Sequence, residues 1–315
     1  MYHIGIDLGG TNIAVGVVDE QYNIVGRGKV KTARADSAEG TVEDMATAVR
    51  MAVENAGVSM DEVADIGVAA PGSVNPDTGV IVYANNLAFR DTPVGELLAK
   101  ELGKPCYVEN DANAAAYGEL LAGAGKGADN FVMVTLGTGV GGGVIINGKI
   151  YGGFNHAGAE LGHMIIVKDG EQCTCGTKGC FEAYGSATAL IRQTKAAMDA
   201  HPESKMWEML GERGVSGRTA FDGMRAGDET ATKVVEEYIS YLACGITSLV
   251  NIFQPQFVAV GGGICNEGDT LLAPLKALVD AGDYNKRGEK RTQICRAALG
   301  NDAGIIGAAG LYQLK

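Results

Sequence analysis

Ile6-Asp7-Leu8-Gly9-Gly10-Thr11 and Val134-Thr135-Leu136-Gly137-Thr138-Gly139 are two copies of one local design: a strand, a glycine-rich turn and a second strand. Around the first copy, residues 2–8, 12–19 and 22–31 carry the apolar and β-branched recurrence of successive strands, with Gly9-Gly10 and Glu20-Gln21 as turns. The chain therefore opens as a three-stranded meander. Downstream, Val42, Met45, Ala46, Val49 and Val53 fall at helical spacing over 40–57, closed by Gly57. A strand at Ile66–Ala70, a helix near 94–102, a strand at 105–109 and a helix from about Asp111 complete an α/β alternation. After the second copy, a helix predicted over 229–252 shows one apolar face (Val234, Val235, Tyr238, Leu242, Ile246, Leu249) and leads into strand 257–260, which ends at Gly261-Gly262-Gly263. The last element, about 304–314, reads as a Gly/Ala-rich helix packing back on the first domain. Two related α/β domains are expected: 1–118 with 299–315, and 119–298.

Bulk properties bound the function. At 315 residues, 46% apolar and 20% charged, the chain can bury two cores. A net charge of −12 without a basic block argues against nucleic acid or anionic membrane as partner. It does not argue against one bound nucleotide, because backbone N–H groups and a metal ion can hold phosphates in an acidic protein. Strand pattern begins at residue 2 with no leader signature, and no apolar run reaches the roughly 18 residues of a membrane span, so a soluble cytoplasmic protein is expected.

Gly137-x-Gly139-x-x-Gly142 matches the dinucleotide-binding string, but that fingerprint needs a helix to follow, whereas Val144-Ile145-Ile146 continues as a strand toward an Asn147-Gly148 hairpin. The segment reads as a glycine-rich β-turn whose N–H groups suit phosphate oxygens, with Gly9-Gly10-Thr11-Asn12 as a second. One such turn alone is equally explained by a tight hairpin needing positive φ; two in duplicated positions favour ligand binding. In domains that face each other the turns would converge, with Asp7 at Mg²⁺, Thr11 at the terminal phosphate, and Gly261, Gly262 and Gly263 admitting adenine and ribose.

Seven cysteines include three within Cys173-x-Cys175-x4-Cys180, with His163 upstream. Three thiolates and an imidazole close a tetrahedral Zn²⁺ without leaving a water position, which makes the metal structural. Glu160 and Glu182 flank this set in sequence, so the metal would lock the loops that carry them. His156 is a candidate at the rim of a pocket, and His3 and His201 read as structural or exposed.

Asp7-Leu8-Gly9-Gly10-Thr11, Glu109-Asn110-Asp111-Ala112-Asn113, Leu136 to Gly143, Ala159-Glu160-Leu161-Gly162-His163 and Cys173-x-Cys175-Gly176-x-x-Gly179-Cys180-x-Glu182 together resemble the ROK sugar kinases. The blocks stand in the family's order over essentially the whole chain, and the likeness is nearest to its bacterial glucokinases. The resemblance implies the actin-like, hexokinase-type (ribonuclease H-like) fold, with two domains closing over ATP and a hexose. It implies transfer of phosphate to glucose, or alternatively to N-acetylmannosamine, fructose or allose, in carbohydrate metabolism. Asp111 resembles the family's catalytic base, although Asp is also a favoured helix N-cap. Asn110, Glu160 and Glu182 are implied sugar ligands, with Gly72 through its backbone, Asn86 (or its neighbour Asn85) and His163, which would also ligate zinc. Gly9, Gly10, Thr11, Asn12, Gly137, Thr138 and Gly139 would hold the phosphates of Mg-ATP. The resemblance implies a homodimer or homotetramer, since relatives of this kind are commonly dimers or tetramers. A sugar-responsive repressor is the reading from a different class; the strand starting at residue 2 and the acidic balance count against it.

Overall fold

The opening meander forms as β1 (Tyr2–Leu8), β2 (Asn12–Val18) and β3 (Ile24–Lys31), followed by α1 (Ala38–Ala56), β4 (Val63–Ala70), β5 (Ser73–Asn75), β6 (Val80–Tyr83) and β7 (Arg90–Thr92). Next come α2 (Val94–Leu102), β8 (Cys106–Asn110), α3 (Asp111–Ala122), β9 (Phe131–Leu136), β10 (Val140–Ile146) and β11 (Lys149–Ile150). The chain ends with α4 (Glu182–Gly185), α5 (Ala187–Ala200), α6 (Thr219–Arg225), α7 (Glu229–Phe253), β12 (Phe257–Gly261), α8 (Asp269–Gly282), β13 (Gln293–Arg296) and α9 (Ala303–Ala309). This computed structural model describes residues 1–212 and 214–315.

The duplication is visible in topology. One sheet runs β3-β2-β1-β4-β8, and the other runs β11-β10-β9-β12-β13, the same serial pattern; β5-β6-β7 form a small third sheet. In the first sheet the meander strands pair antiparallel and β1, β4 and β8 pair parallel. Two compact units result: Met1–Val132 with Gly143–Ala159 and Ala297–Lys315, and Met133–Gly142 with Glu160–Arg296. Among the described residues no helix is long and apolar enough to cross a membrane.

In the first unit, Ile4, Ile6 and Leu8 of β1 and Ile13, Val15 and Val17 of β2 are buried together with Val42, Met45, Val49 and Val53 of α1. Alternation in the strands and helical spacing in α1 thus aim their apolar residues at one core. Ser37 caps α1 by accepting from Gly40 N–H at 3.0 Å, and Gly57 at φ 68° ends it. In the second unit, α7 buries Val234, Val235, Tyr238, Leu242, Ile246 and Leu249, as its pattern predicts. The buried Tyr238 hydroxyl donates to Gly185 O at 2.8 Å, which spares it an unsatisfied polar atom.

The C-terminal helix is shorter than the sequence suggests. Gly310 N–H is shared between Ile306 O and Gly307 O, and this bifurcated bond tightens the chain into a 3-10 turn at Leu311–Leu314. Helix α9 lies in backbone contact with the sheet and with α3: a Cβ at Gly67 would stand 1.8 Å from Ala308 O, and one at Gly307 would stand 1.7 Å from Ala114 O. Both partners are main chain and cannot step aside. Gly307→Ala should therefore destabilise the first unit by about 3 kcal/mol, read as a fall of several degrees in its thermal midpoint; an unchanged midpoint would show that α9 can shift freely. Glu119 of α3, fully buried, accepts from the N–H groups of Ala124, Ala298 and Leu299 at 2.8, 3.0 and 2.7 Å. It thereby fixes the segment that leads into α9.

Candidate active site

In the first unit the site grows from the end of β8. Asn110 is paired there with Ala70 of β4 and remains extended, while the next residue turns helical. Asn110 Oδ1 accepts from Ala112 and Asn113 N–H at 3.0 and 3.2 Å, so the N-cap is Asn110. This corrects the alternative reading of Asp111 as the cap. Asn110 Nδ2 donates to Gly72 O at 3.1 Å, where Gly72 has φ 92° and a Cβ would stand 2.1 Å from Tyr83 O. Asp111, first residue of α3, is exposed and accepts from Ala112 N–H at 2.8 Å.

Asp7, at the end of β1, faces Asp111. Burial first, and then the like charge of Asp111, push the Asp7 carboxyl from 3.8 up to about 6. Gly304 of α9 adjoins it, since a Cβ there would contact Asp7 Cγ at 3.4 Å. A carboxyl raised on folding contributes stability that is complete below 3.8 and is lost as pH rises through about 6. Asp7→Asn removes that penalty, so the free protein should gain about 2 kcal/mol near pH 8 and almost nothing near pH 4. Thermal unfolding at both pH values tests this; equal gains would contradict it.

The turn after Asp7 is braced from β3's end. Gly9 N–H donates to Asn12 O at 3.0 Å, Thr32 Oγ1 donates to Gly9 O at 2.7 Å, and Thr32 N–H donates to Thr11 O at 3.0 Å. Gly10 and Thr11 are left exposed. A Cβ on Gly10 would meet Asn86 Cβ at 3.2 Å, which puts Asn86 beside this turn. His156, at φ 60°, lies with Nε2 3.4 Å from Asp77 Oδ2 and borders a cavity of about 250 Å³. His3 is buried against Asp65 at 2.9 Å, and His201 is exposed beside Glu203.

The second unit gathers the other candidates. Gly137 N–H donates to Gly139 O at 2.9 Å, closing the turn between β9 and β10, and strand rather than helix follows. Ala187 N–H donates to Gly137 O at 2.9 Å, and Gly262 at φ 95° presses on the same strand end, where a Cβ would stand 2.2 Å from Leu136 O. Glu182 reaches this turn: Oε2 accepts from Val140 N–H at 3.1 Å, and a Cβ on Gly139 would stand 2.3 Å from that oxygen. Glu182 Oε1 accepts from Thr174 Oγ1 at 3.1 Å and contacts Cys173 Sγ at 3.5 Å. Glu160, exposed, precedes the 3-10 turn Leu161–His163, and Gly261, the last residue of β12, and Gly263 flank Gly262.

His163, Cys173, Cys175 and Cys180 hold their ligand atoms within 4.8 Å of one another. Cys175 Sγ lies 3.7 Å from Cys180 Sγ, and Cys173 Sγ lies 3.8 Å from His163 Nδ1. A tetrahedral ion with bonds of about 2.3 Å requires sulfur–sulfur separations of about 3.8 Å, so the donor set fits zinc in kind and in spacing. The thiols sit in unlike surroundings. Hydrogen bonding from Thr177 N–H leads in lowering Cys175 to about 7, while burial and the neighbouring thiols push Cys180 to about 12. A divalent cation bound among them would favour their thiolate forms.

Thr174, Val140 and Gly304 have no signal in the sequence, because each meets its carboxylate only through the fold.

Two sheets of one serial order, each carrying a glycine turn in its meander, make this an actin-like ATPase fold, the class to which its structural neighbours belong. The ROK family model matches residues 3–315, and the chain belongs to the ROK family. It is 39% identical to a glucokinase of Streptomyces coelicolor, over 98% of this chain and 96% of the relative. A crystal structure of a ROK family glucokinase from Streptomyces griseus in complex with glucose and AMPPNP superposes with TM-score 0.79 at 37% identity, covering 100% of both chains. The xylose repressor of Bacillus subtilis is 28% identical over 98% of this chain and 76% of its own length.

Proposed function

We infer that this chain is an ATP-dependent glucokinase, transferring the γ-phosphoryl group of Mg-ATP to glucose with Asp111 as the general base. The observation that carries the reading is the division of labour at the start of α3: Asn110 caps the helix, so Asp111 is not committed to capping and stands exposed beside the half-buried Asp7. The full-length likeness to glucokinases supports the substrate, and the glycine turn at 137–139 supports the donor.

Phosphoryl transfer to an alcohol passes through a loose transition state, so positioning and charge stabilisation dominate. In the first unit, Asp111 accepts the proton of the attacking hydroxyl, Asn110, Gly72 and Asn86 contact sugar, Asp7 holds Mg²⁺, and Gly9, Gly10, Thr11 and Asn12 meet phosphate. Asp7 is costly to ionise in the free protein, and a bound cation offsets that cost. In the second unit, Gly137, Thr138, Gly139 and Gly261–Gly263 hold the nucleotide, and Glu160, His163 and Glu182 contact the sugar. His163, Cys173, Cys175 and Cys180 hold a structural zinc, which when bound ties the Glu182 side of the loop to the Glu160 side. The reading places the enzyme in the cytoplasm, where ATP is available, as a homodimer or homotetramer of the kind its resemblance to the family implies.

An ADP-release assay with Mg-ATP against glucose, mannose, fructose, allose, N-acetylglucosamine and N-acetylmannosamine tests the reading. Glucose-stimulated ADP release above the other sugars is expected. A preference for another sugar would correct the substrate, and no sugar-stimulated release would overturn the kinase assignment.

A further inference from the structure

Immediately before the Asn110–Asp111 turn, Glu109 is 7% exposed. Its Oε1 accepts two hydrogen bonds, from the backbone N–H of Asn110 at 2.8 Å and from Asn113 Nδ2 at 3.1 Å. Oε2 takes no hydrogen bond from the described residues, and the side chain borders the cavity of about 250 Å³ that Tyr107, Lys149, His156 and Lys315 also line. One oxygen therefore ties the last residue of β8 to the first turn of α3. Burial raises the Glu109 carboxyl, against the lowering effect of Asn110 N–H, the Asn113 amide and the charges of His156 and Lys315.

We propose that Glu109 is a positioning residue for phosphoryl transfer, holding the Asn110 main chain and the Asn113 side chain so that Asn110 meets the sugar and Asp111 meets its hydroxyl. The inference rests on Asp111 being the base. Asn110 spends its side chain on the α3 cap and on Gly72 O, while its backbone N–H is held by Glu109 Oε1. Removing the carboxylate takes this acceptor from the part-buried Asn110 N–H and releases the Asn113 amide, and the strand-to-helix junction is then free to shift. Displacement of about 1 Å at reacting groups costs about 100-fold in rate. The acceptor matters here rather than the charge, because an amide oxygen can take both bonds while its NH2 points toward the cavity.

Full-length wild type, E109A, E109Q, N113A and D111A are compared for kcat, glucose KM and ATP KM, with MgADP binding by calorimetry as the measure of folded protein. In E109A, kcat is expected to fall about 10- to 100-fold with a raised glucose KM, while ATP KM and MgADP affinity stay within about twofold of wild type. E109Q is expected to recover about tenfold of the loss. A role in stability alone would lower active protein without moving glucose KM. If E109A fails to fold, N113A, which removes only the second donor, carries the test with an expected loss of about three- to tenfold in kcat. Wild-type kcat per nucleotide-binding molecule in E109A, or in N113A where E109A does not fold, overturns the proposal. E109Q as slow as E109A overturns the acceptor account. Retained turnover in D111A would defeat the base assignment itself, whereas an inactive D111A beside an unaffected E109A defeats the role of Glu109 alone.

Discussion

Asp111→Ala should lower kcat by about 10²- to 10⁴-fold while glucose affinity stays within a few-fold of wild type. The base accepts its proton as the hydroxyl attacks, so its removal is felt in the transition state more than in binding. The substitution spares the surrounding structure. Asp111 is exposed, and the helix cap and the bond to Gly72 belong to Asn110, so truncation leaves neither a core cavity nor an uncapped α3. It also withdraws the like charge from Asp7, whose carboxyl should then titrate lower than about 6, with burial still raising it. Glucose binding by calorimetry together with steady-state turnover checks both halves. Wild-type turnover would remove Asp111 as the base, and lost sugar binding would recast it as a binding residue.

Loss of zinc should be nearly as damaging, by a different route. Cys180 is fully buried, and Cys173 and Thr174 touch Glu182, which in turn holds Val140 N–H beside the glycine turn. Cys180→Ser, or chelation of the wild type, should release one zinc per chain, raise glucose KM by about 10- to 100-fold and lower the thermal midpoint of the second unit. Metal analysis, kinetics and thermal unfolding on the same samples test this. A metal-free protein with unchanged glucose KM would show that Glu182 and Glu160 keep their places without the ion.

The parts of this account legible in the sequence are those fixed by local spacing. The meander, the duplicated glycine turns, the apolar face of α7 and the Cys-x-Cys-x4-Cys set each follow from residues a few positions apart. The cap at α3 did not follow, because Asn110 and Asp111 are adjacent and both favour that position. Pairing with Ala70 keeps Asn110 extended and settles which of them caps. The short strands β5, β6 and β7 span three or four residues each, too few to show a period. Glu182 meets Val140 across 42 positions, and Gly304 reaches Asp7 only because α9 returns to the first sheet.

The central claim is that a phosphoryl group passes from ATP to a glucose hydroxyl, and phosphorus NMR of the purified protein with Mg-ATP and glucose observes that transfer directly. The account predicts a new sugar phosphomonoester resonance growing in step with ADP, and its absence with Asp111→Ala. ADP accumulating with free orthophosphate and no sugar phosphate would contradict it.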